Sequence, residues 1–254
     1  RVSRIAIHPI KSLDQHPRDR VRITTHGGLA GDREFAIVDE NGGFVNGKRT
    51  DAVHRLVARV DPEMDTVTLR RRRGSGERTY PLDGDRSDLN GWLSDFFGYR
   101  VQVREVDGPG MTDFDDPGPT IVGRQTVETV ASWFPGVDVK EMTRRLRPNL
   151  VVEGVDPFWT DRLVPDGRVR IGEVVLEARH PVPRCIVPAR NPDTGVEFDG
   201  FRETFIRKRR ATFPDAADPS TLDGYYSLMA ATHVPPDSRG SSIAVGTPVE
   251  TVSG

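Results

Sequence analysis

Apolar and polar residues alternate in short runs along most of this chain, the two-residue period of strands with one buried face. Val2–Ile7, Val21–Thr24, Phe35–Val38, Leu56–Val60, Val67–Leu69 and Val101–Val106 read as strands, with turn signals such as His26-Gly27-Gly28 and Glu40-Asn41-Gly42-Gly43 between them. The period changes at Ser87–Phe97. There Leu89, Trp92, Leu93, Phe96 and Phe97 fall at i, i+3, i+4, i+7 and i+8, one stripe of a helix. Ser87 stands where an N-cap is expected and Gly98 where a helix stops, and the aromatic stripe is read as core packing. Thr126–Phe134 and Val139–Leu146 repeat the helical spacing, the second forced to end before Pro148. Leu150–Glu153, Arg168–Ile171, Val174–Ala178, Tyr225–Ala231 and Pro248–Val252 supply further strands, the second and third of these forming a hairpin about Gly172. An acidic, Pro/Gly-rich stretch from Gly108 to Gly118 is the expected boundary between a first unit, 1–110, and a second, 111–254. The pattern predicts a mixed α/β fold, mostly β.

Composition narrows the function classes. With 36 basic and 38 acidic residues the net charge is −2, which neither advertises nor excludes nucleic-acid binding. The run Arg70–Arg73 follows an alternating strand and precedes Gly74-Ser75-Gly76, so it reads as the solvated end of a strand entering a hairpin. Arg207-Lys208-Arg209-Arg210 reads as a solvated helix face. No nucleic-acid partner is expected, and no window approaches the ~18 apolar residues of a membrane span. One cysteine and no export-signal pattern favour a cytoplasmic, reducing location. A Walker A loop, a glycine-rich dinucleotide fingerprint and HExxH are all missing from the sequence, and the six histidines show no metal-ligand spacing.

Cys185 is the only cysteine, set in Pro-Val-Pro-Arg-Cys-Ile-Val-Pro-Ala-Arg-Asn-Pro-Asp-Thr-Gly (181–195). A lone thiol excludes an intramolecular disulfide and any multi-cysteine zinc or iron–sulfur site. Three readings stay open: an inert buried thiol, a nucleophile, or a single thiolate ligand to a metal whose other ligands belong to a cofactor. The neighbouring Arg184 favours the thiolate form. His180 lies five positions earlier, a Cys–His spacing that a strand-to-loop path does not by itself close. Three other segments carry donors. Pro9-Ile10-Lys11-Ser12-Leu13 puts a cation and a hydroxyl after the first strand; Gly28–Arg33 brings an Asp-Arg pair to another; Arg145-Leu146-Arg147-Pro148-Asn149 ends a helix with arginines and an amide. Such donors are what a phosphate requires.

In this order the segments resemble the MOSC family, named for the C-terminal domain of molybdenum-cofactor sulfurase, together with the β-barrel N-terminal domain that commonly accompanies it. Pro9-Ile10-Lys11-Ser12 resembles the family's P-[IV]-K-S opening, and Gly28–Asp39 its G-L-x-x-D-R-x-[FW] strand. Arg145–Gly154 resembles R-F-R-P-N-[IL]-V-V-x-G, and Arg184-Cys185 with Asn191–Gly195 its R-C…D-P-x-T-G signature. The resemblance implies an N-terminal β-barrel domain over 1–110 and a MOSC β-barrel domain over 111–254 with a few flanking helices. It implies a molybdenum cofactor (molybdopterin with its metal), with Cys185 as the protein's ligand to molybdenum. Lys11, Ser12 and Arg33 would hold phosphate and pterin; Arg147, Asn149 and Arg184 would lie close to pterin and metal; Thr126 and Tyr226 would add further contacts. The members similar in layout, the amidoxime-reducing components, imply reduction of small N-hydroxylated or N-oxide compounds. Electrons would come from a separate ferredoxin, cytochrome or flavin reductase, since one cysteine cannot hold a cluster. Many relatives carry Thr or Ser two or three residues after the cysteine, where this chain has Ile186-Val187-Pro188, and Ala211–Leu222 also departs from the usual pattern. Two other functions are weighed: a sulfur carrier or cofactor-delivery protein with a Cys185 persulfide, and a pterin- or nucleotide-phosphate-binding adaptor without chemistry, in which the cysteine is dispensable.

Overall fold

Short alternating runs become short strands. The computed structural model describes residues 1–252 apart from Asp107, Pro109 and Thr112–Asp116. In chain order the first half contains β1 (Val2–Ile7), β2 (His16–Arg18), β3 (Arg20–Arg22), β4 (Phe35–Asp39), β5 (Leu56–Val60), β6 (Thr66–Arg71), β7 (Arg78–Pro81), α1 (Ser87–Phe97) and β8 (Val101–Glu105). The second half adds β9 (Ile121–Gly123), α2 (Arg124–Ala131), α3 (Val139–Leu146), β10 (Leu150–Val152), β11 (Arg168–Ile171) and β12 (Val174–Pro183). It closes with α4 (Phe201–Ala211), β13 (Ser227–His233), β14 (Ser242–Ala244) and β15 (Val249–Val252). The fold is mixed α/β and mostly β, as the pattern predicts.

The largest sheet runs in the order β15-β11-β12-β13-β9-β10-β1-β2. β1 pairs antiparallel with β10, Ile5 opposite Leu150, so the first strand lies inside a sheet built otherwise from the second half and β2. One hydrophobic core lies on this sheet and includes Ile5, Ile7, Leu150, Ile171 and Leu176. A second belongs wholly to the first half, where Ile37, Leu56, Leu69, Leu89, Leu93 and Val103 pack between β4–β8 and α1. A third joins α2, α3 and α4 through Val127, Leu146, Phe201 and Phe205. The boundary expected at 110/111 adjoins Asp107, Pro109 and Thr112–Asp116, which lie outside the described residues.

α1 and α3 have the predicted limits. At α1 the N-cap position is Arg86, which gives no side-chain cap; the Asp85 carboxylate just before it accepts from the Ser87 amide at 2.8 Å, and Ser87 is the first helical residue rather than the cap. Gly98 ends the helix at φ 79°, a hand that costs glycine no steric penalty. α3 is capped by Asp138, which accepts from the Glu141 amide, and ends on Arg147 at φ 55° directly before Pro148. β12 runs past the expected Ala178 to Pro183. Register shifts at Ala178/His180 and Pro181/Pro183 accommodate two prolines that cannot donate to β13. This extension carries the chain to Arg184 and Cys185.

Arg70–Arg73 does end β6 and enter the turn to β7, but one arginine in each run departs from the solvated reading. Arg209 is fully buried: Nη2 lies 2.6 Å from Asp161 Oδ1, and the guanidinium stacks 4.7 Å from the Phe158 ring and 5.1 Å from Phe213. α4 buries Phe201, Phe205 and Arg209 at i, i+4 and i+8, so its inner stripe ends in a charge. Arg72 is likewise partly buried. It donates to the carbonyls of His54 and Leu56 and pairs with Asp14 at 3.0 Å and Asp193 at 2.8 Å. Burial pushes the Asp161 carboxyl up and the Arg209 guanidinium down, and each charge offsets part of the other's burial. Arg209→Ala or Asp161→Asn leaves one of them unpaired. Each is expected to cost about 3–5 kcal/mol, read as a lowered urea midpoint with an unchanged m-value.

Candidate functional site

The strand ends described above converge on a cavity of about 440 Å³. β1 leads into Lys11 and Ser12, the Lys11 amide donating to Phe35 O at 2.7 Å. The turn before β4 supplies Arg33. α3 ends on Arg147, and Asn149 follows it into β10. β12 delivers Arg184, whose amide donates to Tyr226 O at 2.8 Å, and then the half-buried Cys185. Across from this loop the first half of the chain contributes Asn46, Gly47, Lys48, Val53 and His54.

The charged lining has one sign. Lys11, Arg33, Lys48, Arg147 and Arg184 face the cavity, and no carboxylate stands among its described lining residues. The consequence is felt at Arg147, lowered to about 10 first by burial and then by the Arg33 guanidinium. His54 is lowered to about 4 by burial and then by Arg147 and Arg190, so its ring is neutral at physiological pH. Behind Arg33, Asp32 accepts from the His8 amide at 2.6 Å and pairs with the Arg33 guanidinium. Burial would raise the Asp32 carboxyl; Arg33 and His8 outweigh it and hold it at about 2.

The backbone at the site is strained. Seven non-glycine residues among those described have positive φ, and four of them, Ser12, Arg33, Arg147 and Met229, line this cavity. Such conformations cost ~1–3 kcal/mol each and gather where function needs them. A ring of ion pairs supports the wall. Asn191 Oδ1 accepts from the amides of Asp193 and Thr194, a turn that presents the Asp193 carboxylate to both Arg144 nitrogens at 2.6 and 2.8 Å. Arg72 ties the same carboxylate to Asp14, two residues from Ser12.

Two family descriptions match the chain: the MOSC N-terminal beta barrel domain over residues 1–135 and the MOSC domain over 120–250. The chain belongs to the MOSC family. This family is associated with the molybdenum cofactor. Among curated proteins, the chain is 24% identical over 233 residues to mitochondrial amidoxime reducing component 2 of Homo sapiens, covering 77% of this chain and 68% of that protein. The protein of the same name from Macaca fascicularis is 24% identical over 232 residues, with the same coverage. No helix among the described residues is long and apolar enough to cross a membrane.

Of the residues singled out in this MOSC chain, Lys11, Ser12, Arg33, Arg147, Asn149, Arg184 and Cys185 come together around the cavity. Asn149 already has structural work, its amide donating to Ala6 O at 3.1 Å and its oxygen accepting from Thr120. Thr126 and Tyr226 are not on the lining. Thr126 is sealed at the start of α2, its hydroxyl accepting from the Phe158 amide at 2.7 Å. Tyr226 is buried against Phe205, and burial pushes its hydroxyl up to about 12. His180 Nδ1 lies 3.1 Å from Pro181 O, away from Cys185's cavity lining. Sequence reasoning missed Asn46–Lys48, His54 and Met229, which have no local motif. It also missed the partnership of Arg72 and Arg144 with Asp193, although the Asn-Pro-Asp-Thr-Gly turn was visible.

His8 is fully buried behind this wall and held at about 3, first by burial and then by Arg147. Between pH 6.5 and about 3 the unfolded chain therefore binds a proton at His8 that the fold refuses, and stability falls as pH drops through that window. His54, also lowered, acts in the same direction, and Asp32 adds to the loss below its ordinary 3.8. Urea midpoints measured from pH 7 to pH 4 should decline, and His8→Gln should flatten the slope by at most roughly 1.4 kcal/mol per pH unit.

Proposed function

We propose that this chain is a molybdenum-cofactor oxidoreductase that reduces N-hydroxylated or N-oxide compounds by oxygen-atom transfer. The observation that carries the reading is a half-buried thiol opening on a cavity whose charged lining, among the described residues, is cationic. The residues fit such a group. A pterin phosphate with a dithiolene is an anion, and it would offset the burial and the Arg33 repulsion that lower Arg147. About 440 Å³ lies within the range of small-cofactor pockets. No cluster of three His, Cys, Asp or Glu among the described residues could hold a metal by itself. A metal here would take Cys185 and bring its remaining ligands with it, and a soft thiolate suits such a centre.

In this reading Lys11, Ser12 and Arg33 hold the phosphate and pterin, while Arg147, Asn149 and Arg184 border pterin and metal. The cofactor supplies the two-electron oxygen-atom-transfer chemistry; the chain supplies placement. Arg184 is fixed by donating to Leu146 O at 2.9 Å, which ties the cysteine loop to the end of α3. Val53, Leu146, Val182 and Val187 give the cavity an apolar stretch beside its cationic one. The units 1–110 and 111–254 would contribute opposite walls, and a separate electron-transfer protein would supply electrons. The names of the amidoxime reducing component relatives support the reaction class.

Protein purified from a host that makes the cofactor should contain stoichiometric molybdenum and reduce benzamidoxime when given an artificial electron donor. Cys185→Ala should abolish turnover, and Arg147→Ala should weaken cofactor retention by roughly 1.5–3 kcal/mol, read as lost molybdenum on gel filtration. Metal-free wild-type protein that accepts an added sulfur on Cys185, seen by mass spectrometry, would overturn this reading in favour of a persulfide carrier.

A further inference from the structure

Of the basic run at the end of α4 only Arg209 enters the core. The helix carries Arg202, Arg207, Lys208, Arg209 and Arg210 against one carboxylate of its own, Glu203. Among the described residues only Arg209 of these five has a carboxylate partner, the buried Asp161. Arg202, Arg207 and Arg210 are exposed and Lys208 is half-buried, so the outer face of α4 holds an excess of positive charge. Two of these cations are already placed. The Arg202 guanidinium lies 5.5 Å from the Tyr226 ring and that of Arg210 lies 5.0 Å from Tyr225, which limits their freedom before anything binds.

This face connects with the thiol through Tyr226. Phe205, on the inner side of α4, packs edge-on against that ring at 5.1 Å. The Tyr226 carbonyl accepts from the Arg184 amide at 2.8 Å, and Arg184 precedes Cys185 on the cavity lining. Burial pushes the Tyr226 hydroxyl up, and the Arg184 guanidinium and the Cys185 thiol are the next influences on it, so the ring reaches the surroundings of the sulfur. A partner seated on α4 is therefore linked to the cysteine loop through one aromatic ring and one hydrogen bond.

The charge selects the partner. Beyond α4 the chain exposes Asp215, Asp218 and Asp223, so the positive field ends with the helix. A patch about 16 Å long suits a compact acidic protein better than an extended polyphosphate. Weak electron-transfer encounters are small, under about 1,200 Å² in all, and use complementary charge to speed association. We propose that the outer face of α4 is the docking site for an acidic one-electron carrier protein. The inference rests on the reductase reading above. Reducing R–NHOH to R–NH2 and H2O consumes two electrons and two protons. Two carriers, visiting α4 in turn, are each oxidised by one electron, and the protons come from solvent. The N–O bond breaks, one N–H and one O–H bond form, and the hydroxyl leaves as water. The cations of α4 act on the encounter, so they set KM for the carrier and leave the chemical step alone.

The test uses the cofactor-loaded full chain with three donors: a reduced acidic [2Fe–2S] ferredoxin, a reduced acidic flavodoxin, and reduced methyl viologen, which needs no docking surface. Arg207→Glu combined with Arg210→Glu is expected to raise KM for the carrier at least about tenfold at low ionic strength, with viologen-driven turnover unchanged. Arg73→Glu, at an exposed arginine between β6 and β7, should change neither. Independently of turnover, NMR of the ligand-free full chain should show α4 backbone amides shifting when oxidised ferredoxin or flavodoxin is added. Those shifts should fade as salt approaches 1 M. Three outcomes overturn the docking face and leave the reductase reading intact: wild-type carrier KM in the double variant, shifts confined to other surfaces, or shifts caused by single-stranded RNA and by neither carrier. Wild-type protein that turns over with no donor sinks that reading, and the docking face with it. Should the double variant fail to fold, carrier KM in Arg207→Gln and the wild-type shift map decide.

Discussion

Cationic side chains gathered around one space, with no carboxylate among the described residues that line it, are the constraint around which the cavity is arranged. Burial opposes the charge on Arg147 first, and the Arg33 guanidinium beside it adds to the cost. A fold keeps such an arrangement only where something else over-determines it. Here the surrounding backbone does so: Arg147 is locked in a left-handed turn between α3 and Pro148, and Arg33 is anchored by Asp32, itself gripped by His8. An anion entering this space meets donors already in place, so little ordering entropy is lost when it binds.

The carboxylates have been moved one layer back. Asp32, Asp14 and Asp193 each hold an arginine from behind, and none of them faces the cavity. This division explains why a chain with near-neutral overall charge can present a strongly cationic interior. It also joins distant parts of the sequence, because Arg72 binds a carboxylate from the segment after Ser12 and another from the loop after Cys185.

How much was legible in the sequence depended on whether the controlling interaction was local. α1 and α3 were readable because stripe and stop lie within a dozen residues, whereas the cap expected at Ser87 falls elsewhere. β2, with a proline and two polar residues, and β7, in which only Tyr80 is buried, carry no alternation to read; they exist because a neighbouring strand recruits them. Seven of the nine candidate site residues converge because motif residues sit at strand and helix ends, where the fold gathers them. Thr126 did not, since a hydroxyl opening a helix can serve an adjacent backbone amide as readily as a ligand. Arg209 shows the converse: nothing nearby in sequence announces Asp161, so a buried arginine looked like its solvated neighbours.

The placement of β1 also governs the order of assembly. Its inner partner, β10, begins at Leu150, so during synthesis some 140 residues must follow Ile7 before that edge can close. At ribosomal speeds of about 5–20 residues per second, an apolar strand waits on the order of ten seconds or more with one edge open. The first half can condense on its own core meanwhile, leaving β1 with an open edge, while β3 waits longer still for β14.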